Sequence, residues 1–257
     1  MAANFPTSDP SFTKKDYVNR ETPLVADYNQ ALEEIEAIGS WLLDDYVPKS
    51  TTADLTFYVN PSTGSNENDG SSGSPFKTIA KAISLIPQIV NHDVKIYLAD
   101  GNYSEGITLT GYVGSGSINI VGNVTTPTNV VLSGRIIIKG VAHQVFIRGM
   151  KTTYTGNNSV EVAACPYTQF NYIVAEASEA TYSGIYFAYS FAYVINSTFS
   201  NKKYGITSRN SLVCSEANSG TGNTNGIAAM YGGTLGKNGS QPSGTTAEFI
   251  HAGGEIR

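Results

Sequence analysis

Charge is scarce in this chain: only 14% of its 257 residues are Asp, Glu, Lys or Arg, and the formal net charge is −5. The basic residues Lys14, Lys15, Arg20, Lys202 and Lys203 are scattered rather than gathered into a stripe, which argues against a nucleic-acid partner. Cysteine is scarcer. Cys165 and Cys214 are too few for a disulfide framework and have no CxxC spacing for zinc, so both read as small buried apolar residues. No uninterrupted apolar run approaches the ~18 residues of a membrane span, and "MAANFPTSDPSF" has no basic region followed by an apolar one. A soluble protein without membrane insertion or ordinary secretion is expected. Aspartate is missing altogether after Asp100.

What is present begins with residues 1–20, which are polar, proline-punctuated and aperiodic, as in an arm that orders only against something else. Thr22 can cap a helix and Pro23 suits its first turn. Leu24, Tyr28, Ala31, Ile35, Ile38 and Leu42 then follow at heptad steps. Such a stripe fits either a helix lying on its own domain or a short self-associating one; in the second case Ile35 and Ile38 at successive seam positions favour three strands. Residues 1–50 therefore read as an attachment arm with an oligomerising helix, and 51–257 as the body.

From Leu55 the texture changes to short β-branched or aromatic runs: "TFYVN", "VKIYLA", "GITLTGYV", "SINIVG", "NVVLSG", "RIIIKG" and "QVFIRG". Three later segments open on Gly-Ile, at Gly184, Gly205 and Gly226, a period of 21 residues. Units of that length, with strand pieces and small polar corners but no helix, match rungs of a parallel β-solenoid. Asn196, Asn201, Asn218 and Asn225 fall where left-handed corners are expected. Cys165 and Cys214 then lie about two rungs, ~10 Å, apart and stay free thiols.

A solenoid exposes an apolar bore and strand edges at each mouth, so something must close the first rung. In "SPFKTIAKAIS" Ser74 can cap and Pro75 suits a first turn, while Phe76, Ile79, Ala80 and Ile83 form one apolar face. A capping helix at about 75–87 is expected. At the other end no bulky residue follows Leu235 until Phe249 and Ile250, so a partner chain is expected to cover it.

"FYVNPSTGSNENDGSSGSPFKTIAKAISLIP", with "VKIYLADGNYSEGITLTG" and "SINIVGN", resembles the opening of pectate-lyase-like right-handed β-helices, above all those of bacteriophage tail and tailspike proteins. Tyr58, Val59, Gly64, Asn68, Asp69, Gly70, Pro75, Phe76, Thr78, Ile79 and Ala82, then Asp100, Gly101 and Tyr103, carry the likeness over residues 55–122. It implies an all-β, single-stranded right-handed parallel β-helix with an N-terminal helical arm and a capping helix. The head region likewise resembles N-termini of phage appendages that dock on a tail or baseplate. Activity does not follow, because the superfamily holds lyases, hydrolases and non-catalytic fibres.

Chemistry has to be argued from residues, and these are sparse. Glycoside hydrolysis needs two carboxylates about a bond, and a calcium-assisted lyase needs several acidic oxygens. Past Asp100 the body offers Glu105, Glu161, Glu176, Glu179, Glu216, Glu248 and Glu255. The one close pair, Glu176 and Glu179, could act as acid and base only if it faces a groove; solvated loop carboxylates are the ordinary alternative. His143 and His251 each stand alone, and an Asx turn accounts for Asp69 without a metal. No cofactor and no metal are expected. Tyr182, Tyr186, Tyr189, Tyr193 and Tyr204 crowd one rung and its margins, where outward tyrosines suit a glycan or a subunit interface.

The reading favoured on these grounds is a non-enzymatic, homotrimeric virion appendage. It would be anchored to other virion proteins through residues 1–45, exposed on the particle, and in contact with a host cell-surface glycan. A polysaccharide-degrading tailspike and a bacterial surface adhesin are the alternatives.

Overall fold

The computed structural model describes residues 49–257, together with Leu32, Glu33 and Ile35 of the N-terminal segment. Contacts divide the chain into two units, Met1–Val47 and Pro48–Arg257. In the first, Leu32, Glu33 and Ile35 are helical, and Ile35 is 64% exposed. Leu24, Tyr28, Ala31, Ile38 and Leu42 lie outside the described residues, as does the arm before them. The body starts close to the expected boundary, since the Thr51 amide already bonds the Ile89 carbonyl at 2.9 Å.

In chain order the body's strands are β1 (Leu55–Val59), β2 (Asp93–Leu98), β3 (Gly101–Tyr103), β4 (Ile107–Thr110), β5 (Ser117–Val121), β6 (Val130–Leu132), β7 (Ile136–Lys139), β8 (Gln144–Thr152), β9 (Val160–Ala163), β10 (Thr168–Ala175), β11 (Glu179–Ala188), β12 (Phe191–Ile195), β13 (Thr198–Phe199), β14 (Lys202–Arg209), β15 (Leu212–Glu216), β16 (Asn223–Met230), β17 (Thr234–Asn238), β18 (Gly244–His251) and β19 (Glu255–Ile256). Each run singled out in the sequence forms one of them. All pair in parallel with strands of neighbouring turns. The first sheet stacks β1-β2-β5-β8-β10-β12-β15-β17-β19 and the second β4-β7-β9-β11-β14-β16-β18. The result is a single-stranded parallel β-helix of about seven turns, of the right-handed kind that twisted strands favour.

Strand alternation builds the core. In β2 and β4 every second residue points inward and is buried. Ile107, Ile136, Val160, Ile185, Ile206 and Ile227 make one stack along the second sheet, all essentially inaccessible. The Gly-Ile repeat is part of it: Ile185, Ile206 and Ile227 sit directly above one another. Each buried Ile contributes about 1.5–3 kcal/mol. Toward the later turns the bore becomes polar. Asn218 is fully buried, its Oδ1 accepting from the Ser197 amide (2.8 Å) and its Nδ2 donating to the Val194 carbonyl (2.8 Å) and Ser215 Oγ (2.9 Å).

Corners repeat as well. After the second sheet, Gly111, Gly140, Ala164, Tyr189, Asn210, Tyr231 and Ala252 occupy equivalent positions, all at positive φ. Asn196 and Asn201 are left-handed, as expected, but Asn218 and Asn225 are not. Their amides are used instead as hydrogen-bonding groups between turns.

The first mouth is closed by "NDGSSGSPFKTIAKAIS". Asn68 Nδ2 donates to the Pro75 carbonyl (2.8 Å), and the Ser71 amide donates to Asp69 Oδ1 (2.9 Å), the Asx turn expected there. Gly70 lies at φ +77, and a Cβ on it would overlap the Phe76 ring. The helix α1 spans Ile79–Ser84, shorter than the expected 75–87. Thr78, not Ser74, is its N-cap, because Phe76 is held extended in a bridge to Val59. The later start rotates the apolar face. Phe76, Ile79 and Ala82 are buried and Ile83 is partly so, whereas Ala80 is exposed and takes no part in the plug. Glu105 holds the helix start in place, its two oxygens accepting from the Ile79 (2.7 Å) and Ala80 (3.0 Å) amides. Tyr103, buried, donates from its hydroxyl to the carbonyls of Ala99 (2.8 Å) and Val59 (3.2 Å).

At the other end β18 is largely exposed along its length; Phe249 packs on Tyr204 while Ile250 is 55% exposed.

Candidate functional site

Most carboxylates of the body are tied to structural partners. Glu161 lies between Arg135 and Lys139, Glu248 pairs with Lys237, and Glu255 takes two bonds from Arg257. Burial pushes the Glu161 carboxyl up, but hydrogen bonds from Lys139 and Arg135 outweigh it and hold the group below the ordinary range. Of the candidate acid–base pair, Glu176 accepts an ion pair from Lys151 at 3.2 Å, and Glu179 opens β11 opposite Lys202 in register. Among the described residues no group of three His, Cys, Asp or Glu side chains could hold a metal. Cys165 is buried and Cys214 half-buried on the outer face of β15, both as free thiols. Burial raises both pKa values.

The five candidate tyrosines do not share one face. Tyr182, Tyr186 and Tyr204 belong to the second sheet, with Tyr186 taking a long 3.4 Å hydrogen bond from Arg209. Tyr189 stands at the left-handed corner, 69% exposed. Tyr193 alone lies on the outer face of the first sheet, and it has company there.

Outer positions of the first sheet stack in columns. One runs Lys95, Asn119, Phe146, Gln169, Tyr193, Cys214; beside it runs Tyr97, Val121, Arg148, Asn171, Ile195, Glu216. On this surface Phe146, Tyr167, Phe191 and Tyr193 form a continuous aromatic ladder, with ring centroids 5.2–5.9 Å apart. A polar trough of about 560 Å³ abuts its first ring. Asp93, Lys95, Ser117, Asn119, His143 and Phe146 are among its lining residues. A second hollow of about 540 Å³ adjoins the far end, beside Phe191, Tyr189 and Leu212. Ser117 Oγ donates to Asp93 (2.8 Å), Asn119 Nδ2 to Ser117 Oγ (2.8 Å), and Arg148 to Asn119 Oδ1 (3.1 Å), so the polar groups form one chain of bonds.

His143 is only 5% exposed, unlike the ordinary solvated or satisfied histidine expected of it. Its Nδ1 lies 3.1 Å from the Gln144 carbonyl, which can only accept, so Nδ1 carries the proton and neutral Nε2 is an acceptor. That Nε2 has no hydrogen-bond partner among the described residues, nor has Asn171 Oδ1 in the column next to Phe146. Burial pushes the His143 pKa down, keeping the ring neutral.

Phe191 belongs to the aromatic run that the sequence shows around Tyr193, whereas Phe146, Tyr167, Arg148 and Lys95 carry no such signal. Bonds joining equivalent positions of adjacent turns span 21 residues at Ser190–Ser211 and Ser197–Asn218, but 25 at Cys165–Ser190 and 24 at Asp93–Ser117. The changing rung length hides the columns from a fixed-period reading.

Neither the curated proteins nor the solved structures contain a match to this chain. The sequence pattern of one family covers residues 62–248, from the loop after β1 into β18, and thus most of the solenoid body. On that match the chain belongs to the family described as protein of unknown function, DUF1565.

Proposed function

We propose that the protein is a non-enzymatic appendage of a bacteriophage virion, trimeric, with residues 1–45 joining it to other virion proteins and the β-helix projecting as a rigid body toward the host surface. The carrying observation is the use made of the body's carboxylates. Glu105 holds the start of α1, and Glu161, Glu176, Glu248 and Glu255 are each paired with a cation, so most of the acids that hydrolysis would draw on are already engaged. The separate N-terminal unit, with apolar Leu32 and Ile35 exposed on helical backbone, fits a self-associating anchor. The likeness of residues 55–122 to phage β-helices supplies the setting.

Two measurements test this reading. Antibody against the body should label assembled particles in electron microscopy; particles that never carry the protein overturn the assignment. Light scattering of the full chain should return three times the 27.3 kDa protomer mass, and a monomer at micromolar concentration overturns the trimer.

A further inference from the structure

We propose that Lys237 and Glu248 form a charged gate across the last mouth of the solenoid, barring a second copy of this chain from adding to the open edge of β18. The inference does not rest on the virion reading.

It starts from where the inner columns end. In the second sheet the buried isoleucine stack runs through Ile206 and Ile227 and is continued, in register, by Glu248. In the first sheet Phe170, Val194 and Ser215, all buried, lead in the same way to Lys237. Strand alternation points both positions into the bore, and their side chains meet there in an ion pair between the two sheets. Around them the opening stays apolar. Ile250 continues the column of Ala229 and is exposed, while Ile256 continues that of Leu235 and packs on the core. Both members of the pair are 39% exposed, where an ion pair adds little stability, and apolar side chains at the same two positions would extend the core instead. Stability alone does not account for the charges.

The two mouths treat their strand edges differently. At the first, the chain occupies the edge of β1 itself: the Tyr58 amide donates to the Gly70 carbonyl (2.8 Å), and the Tyr58 carbonyl accepts from the Phe76 amide (2.9 Å). At the last, β18 is eight residues long and pairs with β16 alone among the described residues. Such an edge templates strand addition, and inward-pointing charge is one means of preventing it. Because the first mouth is plugged, a second copy can reach β18 only tail to tail, with the two β18 strands antiparallel about a two-fold axis. That joint buries both ion pairs, and desolvating four charges opposes association even when they remain paired. The gate therefore tolerates water over the mouth and penalises another mouth.

The test is light scattering of the full-length double variant Lys237→Val, Glu248→Ile, in which both inner columns run on as apolar side chains. Its mass should be twice that of the parent assembly at micromolar concentration, with β18 amides newly protected in hydrogen exchange. Closure about a two-fold axis stops growth at doubling, so fibres are not expected. The exchanged pair Lys237→Glu, Glu248→Lys should keep the parental mass. Lys237→Glu alone sets two carboxylates across the mouth, and should speed exchange in β18 roughly two- to fivefold with no gain in mass. A double variant that fails to fold or folds at parental mass, doubling without protection of β18, or parental exchange in Lys237→Glu overturns the proposal. Every mass is read against the parent's own, so neither the trimer nor the virion assignment decides the outcome.

Discussion

Single residues in this fold are selected by backbone geometry as much as by packing. Ala217 stands exposed at φ 50, a left-handed position that costs an L-residue ~1–2 kcal/mol, while glycine there forfeits ~0.5–1 kcal/mol of chain entropy. Ala217→Gly should therefore raise stability by up to about 1 kcal/mol in urea melts; a loss would mean the corner is not strained. Glu161 supplies a pH test. Its carboxyl titrates below the ordinary glutamate value when folded, so its stabilisation is complete above that ordinary value and fades as pH falls through the folded one. Glu161→Gln should thus be less stable than the parent at pH 7, with the gap closing below about pH 4. Denaturant melts across that range would show a constant gap if the ion pairs with Arg135 and Lys139 contributed nothing.

At the scale of elements, the plug on the first turn concentrates most of the local vulnerability. Phe76 is 1% exposed, packed beneath the glycine loop and beside Phe57, with ring centroids 5.7 Å apart. Phe76→Ala should cost about 3–5 kcal/mol. Gly70→Ala should be of comparable severity, since it combines a positive φ with overlap on that ring. Thermal unfolding reads both, and near-parental Tm values would show that the mouth is closed by something else. The element was legible in sequence because its capping residues and apolar spacing are local. Its register was not. Whether Phe76 starts a helix or bridges to Val59 depends on a strand that precedes it in the chain by many residues, so Ala80 was assigned to a face it does not occupy.

For the whole molecule, stacked turns make a quasi-one-dimensional body in which each rung contacts only its neighbours. Stability should then grade along the axis. Hydrogen exchange should be fastest in β18, exposed on most of its residues, and slowest in β5 and β8, which are paired on both sides around a fully buried core. Uniform protection throughout would contradict independent rungs. Removing residues 1–47 should abolish trimer formation in light scattering while leaving the far-ultraviolet spectrum of the body intact, because the two units are separately compact.

Sequence alone determined the strand texture, the stacking of Ile185, Ile206 and Ile227, and the need for a plug, since each follows from local spacing and from turn chemistry. Only the tertiary structure decided which outer residues become neighbours. Hydrogen-bond ladders fix the register of each new strand on the last one whatever the length of the corner between them. Residues separated by different distances in the chain, such as Asn119, Phe146, Gln169 and Tyr193, thereby fall into one column. The same registration leaves His143 buried beside a trough rather than solvated on a loop.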